Sequence, residues 1–165
     1  MKPAKKPICI LMGSKSDEEK MKPAVSFLQK IGVSYDVHIA SAHRTPKLIQ
    51  NIVNNPDYKV FIAGAGMAAA LPGCIAALTV RPVIGVPLSS KYGLEDSLLS
   101  IIQMPPGIPV NTVGIDAAKN AAIAACEILA LNDPELSKKL QNIREEAANA
   151  VYDCDSEICG KYKPL

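Results

Sequence analysis

Two short polar segments of this sequence combine groups that bind anions with a group that can move a proton. Gly13-Ser14-Lys15-Ser16-Asp17 follows the apolar run Ile8 to Met12, where a strand would give way to a helix. Free backbone amides and the macrodipole at a helix amino terminus attract an anion, and serine hydroxyls add donors, so a phosphate monoester is the favoured ligand. The spacing matches neither a Walker loop nor the GxGxxG fingerprint, so a capping turn without a ligand is the alternative.

The second polar segment, Ser41-Ala42-His43-Arg44-Thr45-Pro46, places an imidazole beside a guanidinium. Arg44 has the planar donor geometry that suits a phosphate or a carboxylate. His43 could give and take a proton near neutral pH, and its alternative is a structural or surface role. The other histidine, His38, lies in an alternating stretch and is interpreted as a strand side chain. With two histidines in the chain, a multi-histidine metal site is excluded.

A third segment has little side-chain bulk. Gly64-Ala65-Gly66 precedes four small or slender residues and then Leu71-Pro72-Gly73. A flat ring could lie against this backbone, although close packing of a helix on a strand explains the same glycines equally well. Cys74 is interpreted as a packing residue. The proline-rich segment from Gln103 to Pro109 is either a cover for the site, from the same chain or a neighbour, or a stiff connection.

Short apolar strands and amphipathic helices alternate along the chain and must position these segments. Strands are predicted at 8–12, 35–40, 59–63, 82–86 and 110–115, and Pro87 is expected to stop the fourth ladder. The first helix is capped by Ser16 or Asp17 and ends at Gly32. Further helices are predicted from Pro46, from Leu71 to about Leu78, from near Leu94 to Ile102, from the cap Asp116 to about Leu131, and from Asp133.

This alternation predicts an α/β fold, a single flavodoxin-like or Rossmann-like three-layer domain around a five-stranded parallel sheet. Ligands of such sheets bind beyond the carboxyl ends of the strands at the switch point, which selects residues 13–17, 41–45 and 64–73. The last helix, with its stripe through Leu136, Leu140, Ile143 and Ala147, is not needed to cover five strands. We predict a core of about 7–131 and a projecting oligomerisation helix with a tail at about 133–165; the alternative is a helix that folds back on its own sheet.

The composition fits one globular domain of 165 residues and argues against several classes of function. A net charge of +2 and 4% aromatic residues disfavour a polyanion-binding surface and a reader that stacks bases. Five cysteines without a CxxC pair indicate reduced thiols in a cytoplasm. No apolar run is long enough for a signal-peptide core or a membrane span. GxSxG and HExxH motifs are absent, which leaves acid/base chemistry on a small phosphorylated ring compound.

Five motifs of this chain occur in the same order in a known family. They are Met12-Gly13-Ser14-Lys15-Ser16-Asp17, Ser41-Ala42-His43-Arg44-Thr45-Pro46, Ala63-Gly64-Ala65-Gly66 with Leu71-Pro72-Gly73, Pro82-Val83-Ile84-Gly85-Val86-Pro87, and Gln103-Met104-Pro105 with Gly107-Ile108-Pro109-Val110. Over roughly residues 7 to 150 the chain strongly resembles the N5-carboxyaminoimidazole ribonucleotide mutase family of purine biosynthesis.

The resemblance implies a flavodoxin-like fold, a homooctamer that exchanges a carboxy-terminal helix between subunits, and no metal or organic cofactor. It implies a small phosphoribosyl-imidazole substrate, with neither nucleic acid nor membrane as a partner. The family's isomerase reaction, a step of IMP biosynthesis, moves a carboxylate from the exocyclic nitrogen of the carbamate substrate to the adjacent imidazole ring carbon. The product is 4-carboxyaminoimidazole ribonucleotide.

The resemblance also implies a role for each residue of the site. His43 is the acid/base, which protonates the substrate during loss of carbon dioxide and then removes the ring proton after recarboxylation. Phosphate and ribose are held by Ser14, Ser16 and Asp17, with Arg44 on the phosphate. Base and carboxylate are contacted, partly through backbone, by Ser41, Ala42, Gly64, Ala65, Gly66 and Leu71.

The chain departs from the family pattern at two positions. Where the pattern reads Gly-Ala-Gly-Gly-Ala-Ala-His-Leu-Pro-Gly, this chain has Met67 and Ala70 in place of the fourth glycine-loop residue and the histidine. The missing histidine is one that shapes the base and carboxylate pocket, and Met67 could fill part of the vacated volume. The alternatives to a mutase are a lyase that carboxylates aminoimidazole ribonucleotide directly with carbon dioxide, a paralogue acting on another heterocyclic nucleotide, and a non-catalytic nucleotide-binding or assembly protein.

Overall fold

The structure, a computed structural model, describes residues 6–91, 93 and 95–162. The chain divides into two units at Ile128 and Leu129. The strands of the first unit are β1 (Ile8–Met12), β2 (Tyr35–Ile39), β3 (Val60–Gly66), β4 (Val83–Leu88) and β5 (Asn111–Thr112). The helices are α1 (Glu18–Ile31), α2 (Pro46–Val53), α3 (Leu71–Ala76), α4 (Glu95–Ile102), α5 (Ala118–Ala130), which ends in the second unit, and α6 (Pro134–Lys161) of the second unit.

The five strands form one parallel sheet in the order β2-β1-β3-β4-β5. This is the flavodoxin-like order, so the predicted fold is confirmed. Met12 lies opposite Ile39 on one side and Gly64 on the other, so these strands reach the same edge of the sheet in register. The chain leaves β1 towards β2 and then crosses to β3 on the opposite side of β1. The switch point therefore lies between β1 and β3.

Alternate residues of β3 face two different helical layers. Phe61 and Ala63 belong to one buried cluster, which also contains Ile49 of α2, Ile75 of α3 and Ile101 of α4. Gly64 points to the opposite face, because a Cβ added there would lie 2.3 Å from the Sδ of Met21 in α1. Helices thus cover both faces, as the predicted three-layer architecture requires.

The predicted end of α1 at Gly32 is confirmed, whereas the predicted side-chain cap at its start is not formed. Asp17 precedes the helix, but its carboxylate makes no capping bond to α1 and accepts from Ser14 instead. Gly32 follows the helix in a left-handed conformation at φ 78°. The Gly32 and Val33 amides both donate to the carbonyl oxygen of Leu28 at 3.0 Å. A left-handed residue with this pair of bonds is the usual end of a helix before a strand, and glycine adopts it without strain.

The predicted stop at Pro87 is wrong, because β4 continues through this residue to Leu88. On the β3 side, Pro87 lies opposite Ala65 and Leu88 opposite Gly66. The Pro87 carbonyl points the other way and accepts from the Asp116 amide at 2.8 Å, beyond the end of β5. Since N–H and C=O of one residue point to the same side in a parallel strand, the missing proline donor removes no bond of the β3–β4 ladder.

The fifth strand is shorter than the predicted span of 110–115 and covers Asn111–Thr112. The chain turns away after it, since the Ala117 amide bonds to the Gly114 carbonyl at 3.1 Å and Asp116 has a φ of 55°. Asp116 was predicted as the cap of the next helix, but α5 begins at Ala118 and the Asp116 carboxylate accepts from Ser89 instead. The predicted start of α4 at Leu94 lies outside the described residues.

The second unit contains a helix longer than its apolar stripe. Asp133 caps α6 as predicted, with its carboxylate accepting from the Leu136 amide at 3.0 Å. The helix continues to Lys161, far beyond the predicted stripe that ends at Ala147. Helix formation needs no apolar face where the sequence has no proline or glycine to break it, and none occurs between residues 135 and 159. Among the described residues, no helix combines the length and apolar character needed to cross a bilayer.

Candidate functional site

The loop after β1 is shaped by reciprocal bonds between its serines and Asp17. The Ser14 amide donates to Asp17 Oδ2 at 3.0 Å, and the Ser14 hydroxyl lies 3.2 Å from the same oxygen. The hydroxyls of Ser14 and Ser16 are 2.6 Å apart. These contacts are those of a capping box, which holds the loop in a fixed shape before α1 starts. The same loop therefore presents two hydroxyls at the amino-terminal end of a 14-residue helix.

The loop after β2 folds over Ser41 and is tied to the first loop by Arg44. The Ser41 amide donates to Thr45 Oγ1 at 2.9 Å, and Arg44 Nε donates to Ser41 Oγ at 3.3 Å. Arg44 Nη2 donates to the Gly13 carbonyl at 3.0 Å. His43, between these residues, is exposed. The arrangement holds a guanidinium against the loop after β1 and leaves the neighbouring imidazole open to solvent.

The loop after β3 contains two residues with left-handed backbone conformations. Met67 has a φ of 56° and Ala69 a φ of 38°, which few residues other than glycine, asparagine and aspartate adopt. The Ala69 amide bonds to the Gly66 carbonyl at 3.0 Å and closes the turn. Met67 is 57% exposed, whereas Ala69 is buried. Unfavourable backbone angles that a fold maintains often mark functional segments, and this one carries an exposed apolar side chain next to the glycine shelf.

The three loops enclose one cavity of about 740 Å³ at the switch point. Ten of the eleven predicted site residues line it: Ser14, Ser16, Asp17, Ser41, Ala42, His43, Arg44, Ala65, Gly66 and Leu71. Gly64 is not among the lining residues and serves the packing of α1 on β3 through Met21. The structure thus brings together residues that lie up to 57 positions apart in the sequence, from Ser14 to Leu71.

The proline-rich segment and Cys74 both lie outside the cavity lining. The segment from Gln103 to Pro109 contributes no residue to this cavity, and its Met104 Sδ would lie 3.2 Å from a Cβ added to Gly73. Within one chain it therefore packs on α3 and does not cover the site. Cys74, predicted as a packing residue, is exposed and lies outside the cavity lining. It occupies an outward position of α3, two residues after the buried Pro72.

Four polar residues of the cavity were missed by sequence reasoning. They are Lys20, Ser89, Ser90 and Lys91. The Lys20 ammonium donates to both the carbonyl and the hydroxyl of Ser89, the latter at 2.6 Å. Lys20 could have been found from its position three residues after Asp17, on the same face of the helix. Ser89 and Ser90 lie beyond the predicted span of 82–86, whereas β4 extends to Leu88 and brings them to the same edge of the sheet.

A hydrogen-bond network around His38 lies outside the cavity. His38, as expected, is a strand side chain, with Nε2 3.1 Å from the Tyr58 hydroxyl. Tyr58 donates to Asp36 Oδ2 at 3.0 Å, and burial followed by this bond raises the pKa of Tyr58 to about 12. Burial pushes the pKa of Asp36 upward, but hydrogen bonds from Lys6 and Tyr58 outweigh it and hold the pKa below its usual range. This network stabilises the edge strand and does not touch the cavity.

Sheet order, cavity position and lining residues define the class of the protein. It is a flavodoxin-like α/β protein whose switch-point cavity joins a serine-containing loop, an exposed histidine and a glycine shelf. Residues 7–150 match the family described as AIR carboxylase, and the chain belongs to this family.

Individual relatives agree with this assignment. The N5-carboxyaminoimidazole ribonucleotide mutase of Methanocaldococcus jannaschii is 53% identical over 94% of this chain and 99% of its own length. The mutase of Haemophilus influenzae is 49% identical over 88% and 93%. The crystal structure of Treponema denticola PurE has a TM-score of 0.81 at 30% identity, over 91% of this chain and 96% of that one.

Proposed function

We propose that this protein converts N5-carboxyaminoimidazole ribonucleotide into 4-carboxyaminoimidazole ribonucleotide, a step of purine biosynthesis. The observation that carries the proposal is the single cavity in which His43, the serine loop and the glycine shelf meet. Its support from known proteins is that relatives about half identical over most of this chain are named for that mutase reaction.

The phosphate and ribose bind at the β1 and β2 side of the cavity. Ser14 and Ser16 donate from their hydroxyls to the phosphate, and Arg44 pairs with it through its guanidinium. Asp17 is a carboxylate that repels a phosphate, so its role is to accept from a ribose hydroxyl. The bond from the Ser14 amide fixes its position for that contact, and the Ser14 hydroxyl turns from Asp17 to the phosphate when the nucleotide binds. Together these groups match the phosphate and the ribose hydroxyls of a ribonucleotide 5′-phosphate.

The imidazole ring lies against the glycine shelf. Ala65 and Gly66 offer backbone at the end of β3, and Leu71 closes the shelf at the start of α3. Ser41 and Ala42 face it from the loop after β2. Gly64 supports this surface from beneath, through the α1 contact, and so aids binding without lining the cavity.

His43 moves one proton twice. The carbamate C–N bond breaks with its electron pair going to the exocyclic nitrogen, and His43 delivers a proton there as carbon dioxide leaves. The adjacent ring carbon then attacks the retained carbon dioxide, which forms the new C–C bond. His43 removes the proton from that ring carbon, so the ring regains its aromaticity and the histidine its starting state.

The reaction requires that carbon dioxide stay in the site between the two steps. One chain leaves the cavity without a contribution from residues 103–109. We therefore propose that the cover comes from a neighbouring subunit of a homo-oligomer, an octamer as the resemblance implies. The exposed apolar side chains of α6 support such an assembly, because Val151 and Ile158 are seven residues apart and so share one face of the helix, with Tyr152 beside them. Light scattering should give a mass near eight times 17.5 kDa.

We also propose a cytoplasmic location, which the unpaired cysteines support. All five are free thiols, three of them exposed. Exposed free thiols persist in a reducing compartment and are uncommon in secreted domains.

Direct carboxylation of aminoimidazole ribonucleotide is the second candidate, favoured by the description of the family and by Ala70 in the cavity. Purified protein is incubated either with N5-carboxyaminoimidazole ribonucleotide or with aminoimidazole ribonucleotide plus bicarbonate, and the ring-carboxylated product is quantified. The mutase predicts rapid product formation from the first substrate. Product formed faster from the second pair would establish the carboxylase, and none from either would refute both.

A further inference from the structure

Lys20 projects from α1 across the carboxyl end of β3 into the cavity. Its neighbour Met21 packs on Gly64 of β3, so the first turn of α1 lies over this strand. The Lys20 ammonium reaches Ser89, which follows β4, the next strand in the sheet. Both residues line the cavity. The lysine therefore bridges the two elements on either side of the glycine shelf.

The ammonium is held by a small network that ends at Asp116. Ser89 offers its carbonyl and hydroxyl oxygens to Lys20, and the Ser89 amide donates to Asp116 Oδ1 at 3.0 Å. The Ser89 hydroxyl contacts Asp116 Oδ2 at 2.5 Å, and Lys20 Nζ lies 3.9 Å from Oδ1. The Asp116 amide is bonded to Pro87, which holds its left-handed backbone in place. The position of the Lys20 ammonium is thus set by α1, by the residue after β4 and by the turn before α5.

The cavity has a fixed cation near each end. Arg44 is tied to Gly13 on the β2 and β1 side, and Lys20 is tied to Ser89 on the β4 side. Three strand spacings of about 4.8 Å each separate β2 from β4, roughly 14 Å in all. A ligand with an anionic group at both ends fits this arrangement better than one with a phosphate alone.

We propose that Lys20 is a substrate-binding residue that pairs with the carboxylate of the carbamate substrate and of the ring-carboxylated product. The assignment rests on the proposed function, which supplies a phosphate for Arg44 and a carboxylate for Lys20. An ammonium has three N–H donors, and two of them are directed to Ser89. Asp116 Oδ1 lies 3.9 Å from Nζ, which is too far for a hydrogen bond, so the third donor is available for a ligand oxygen. Asp116 is a positioning residue that orients Ser89 and through it Lys20.

Ala70 explains why such a cation is needed in this chain. Its methyl group lines the cavity where the family pattern has an imidazole. A methyl group donates no hydrogen bond to a carboxylate. Lys20 supplies a charged donor in the same cavity, and so makes the carboxylate the feature by which this protein selects its ligand.

The test is a comparison of ligands that differ by the carboxylate. Lys20→Met keeps the aliphatic stem and removes the charge, and Lys20→Arg keeps the charge. Lys22→Met is the matched control, since Lys22 lies on the same helix with a 65% exposed side chain. Calorimetry measures the affinity of each variant for 4-carboxyaminoimidazole ribonucleotide, aminoimidazole ribonucleotide and ribose 5-phosphate, after circular dichroism has verified folding.

Lys20→Met should weaken binding of the carboxylated nucleotide about 10- to 100-fold and leave the other two ligands within a few-fold. Lys20→Arg should restore most of the loss, and Lys22→Met should bind like wild type. Equal losses for all three ligands, or a wild type without preference for the carboxylated nucleotide, would overturn the assignment. An inactive wild type that keeps this preference through Lys20 would refute the proposed reaction and leave the assignment intact.

A double-mutant cycle tests the positioning role of Asp116. Asp116→Asn retains a residue that tolerates the left-handed backbone and removes the negative charge. It should weaken binding of the carboxylated nucleotide several-fold in wild type and leave it unchanged in Lys20→Met. A loss of the same size in both backgrounds would show that Asp116 does not act through Lys20.

Discussion

The guanidinium of Arg44 donates a hydrogen bond of 3.0 Å from Nη2 to the carbonyl oxygen of Gly13. This bond joins the loop after β2 to the loop after β1, although the two residues are 31 positions apart in the chain. Because one side chain links the two loops, this bond restrains Ser14 and Ser16 relative to the neighbouring His43. The bond also leaves part of the guanidinium fork to face the cavity.

Replacement of Arg44 should chiefly weaken phosphate binding. Arg44→Lys retains the charge but loses the planar fork, so we expect the dissociation constant of ribose 5-phosphate to rise about 10-fold or more. Calorimetry measures it, and Lys47→Ala on the exposed surface of α2 is the control. An unchanged constant in Arg44→Lys would remove Arg44 from the phosphate site.

Replacement of His43 should affect the proton transfers and spare binding. His43→Asn should lower the single-turnover rate about 10²- to 10⁴-fold and leave the affinity for the product within a few-fold. The matched control is His38→Asn, which breaks the contact with Tyr58 outside the cavity and should lower the melting temperature with turnover retained. Wild-type turnover in His43→Asn would contradict the proton shuttle.

Gly85 should be sensitive to a single methyl group. A Cβ added there would lie 2.5 Å from Cγ2 of Ile101 and 2.9 Å from Cγ1 of Val110, two stiff β-branched side chains. Gly85→Ala should reduce the free energy of unfolding in urea by about 1–3 kcal/mol. Gly160→Ala, where a Cβ meets open space, should leave it unchanged or slightly higher. Equal effects of the two changes would show that the β4–α4 contact adapts freely.

Stability should fall at alkaline pH because of buried thiols. Burial, with a smaller effect of Glu127, raises the pKa of Cys126 from 9.0 to about 12. The unfolded chain thus loses this proton first, and the stabilising contribution, complete below pH 9, disappears as pH rises to 12. Urea unfolding at pH 8 to 11 should show a shallower decline for Cys126→Ala than for wild type. The control is the exposed Cys154→Ala, and a decline of the same slope in both variants would exclude Cys126 as the cause.

The stability of the Cys126→Ala variant should still decline at alkaline pH, because other buried groups also titrate there. Burial also raises the pKa of Cys9 to about 12, and Tyr58 titrates in the same range. The two groups lie in one network with Asp36, whose lowered pKa gives the opposite sign. Stability from Asp36 is present above its unfolded pKa and is lost as pH falls through its folded value.

Local sequence determined the helix boundaries that lie at a capping residue. Gly32 ends α1 and Asp133 starts α6 because backbone conformation and side-chain capping act within one turn. Pro87 shows the limit of local rules, because whether a proline ends a strand depends on which neighbouring strand its missing N–H would face. That neighbour is β5, which is too short to reach it.

The sequence by itself determined the order of strands and helices, the three loops at one edge of the sheet, and ten residues of the cavity. It did so because period, turn residues and the parallel topology depend on neighbours a few positions apart. Only the tertiary structure decided that Lys20 meets Ser89 and Asp116, and that Gly64 supports α1 beneath the cavity. Those contacts join positions 43 to 96 residues apart, and the packing of helices on the sheet, which no local pattern encodes, sets which side chains come within bonding distance.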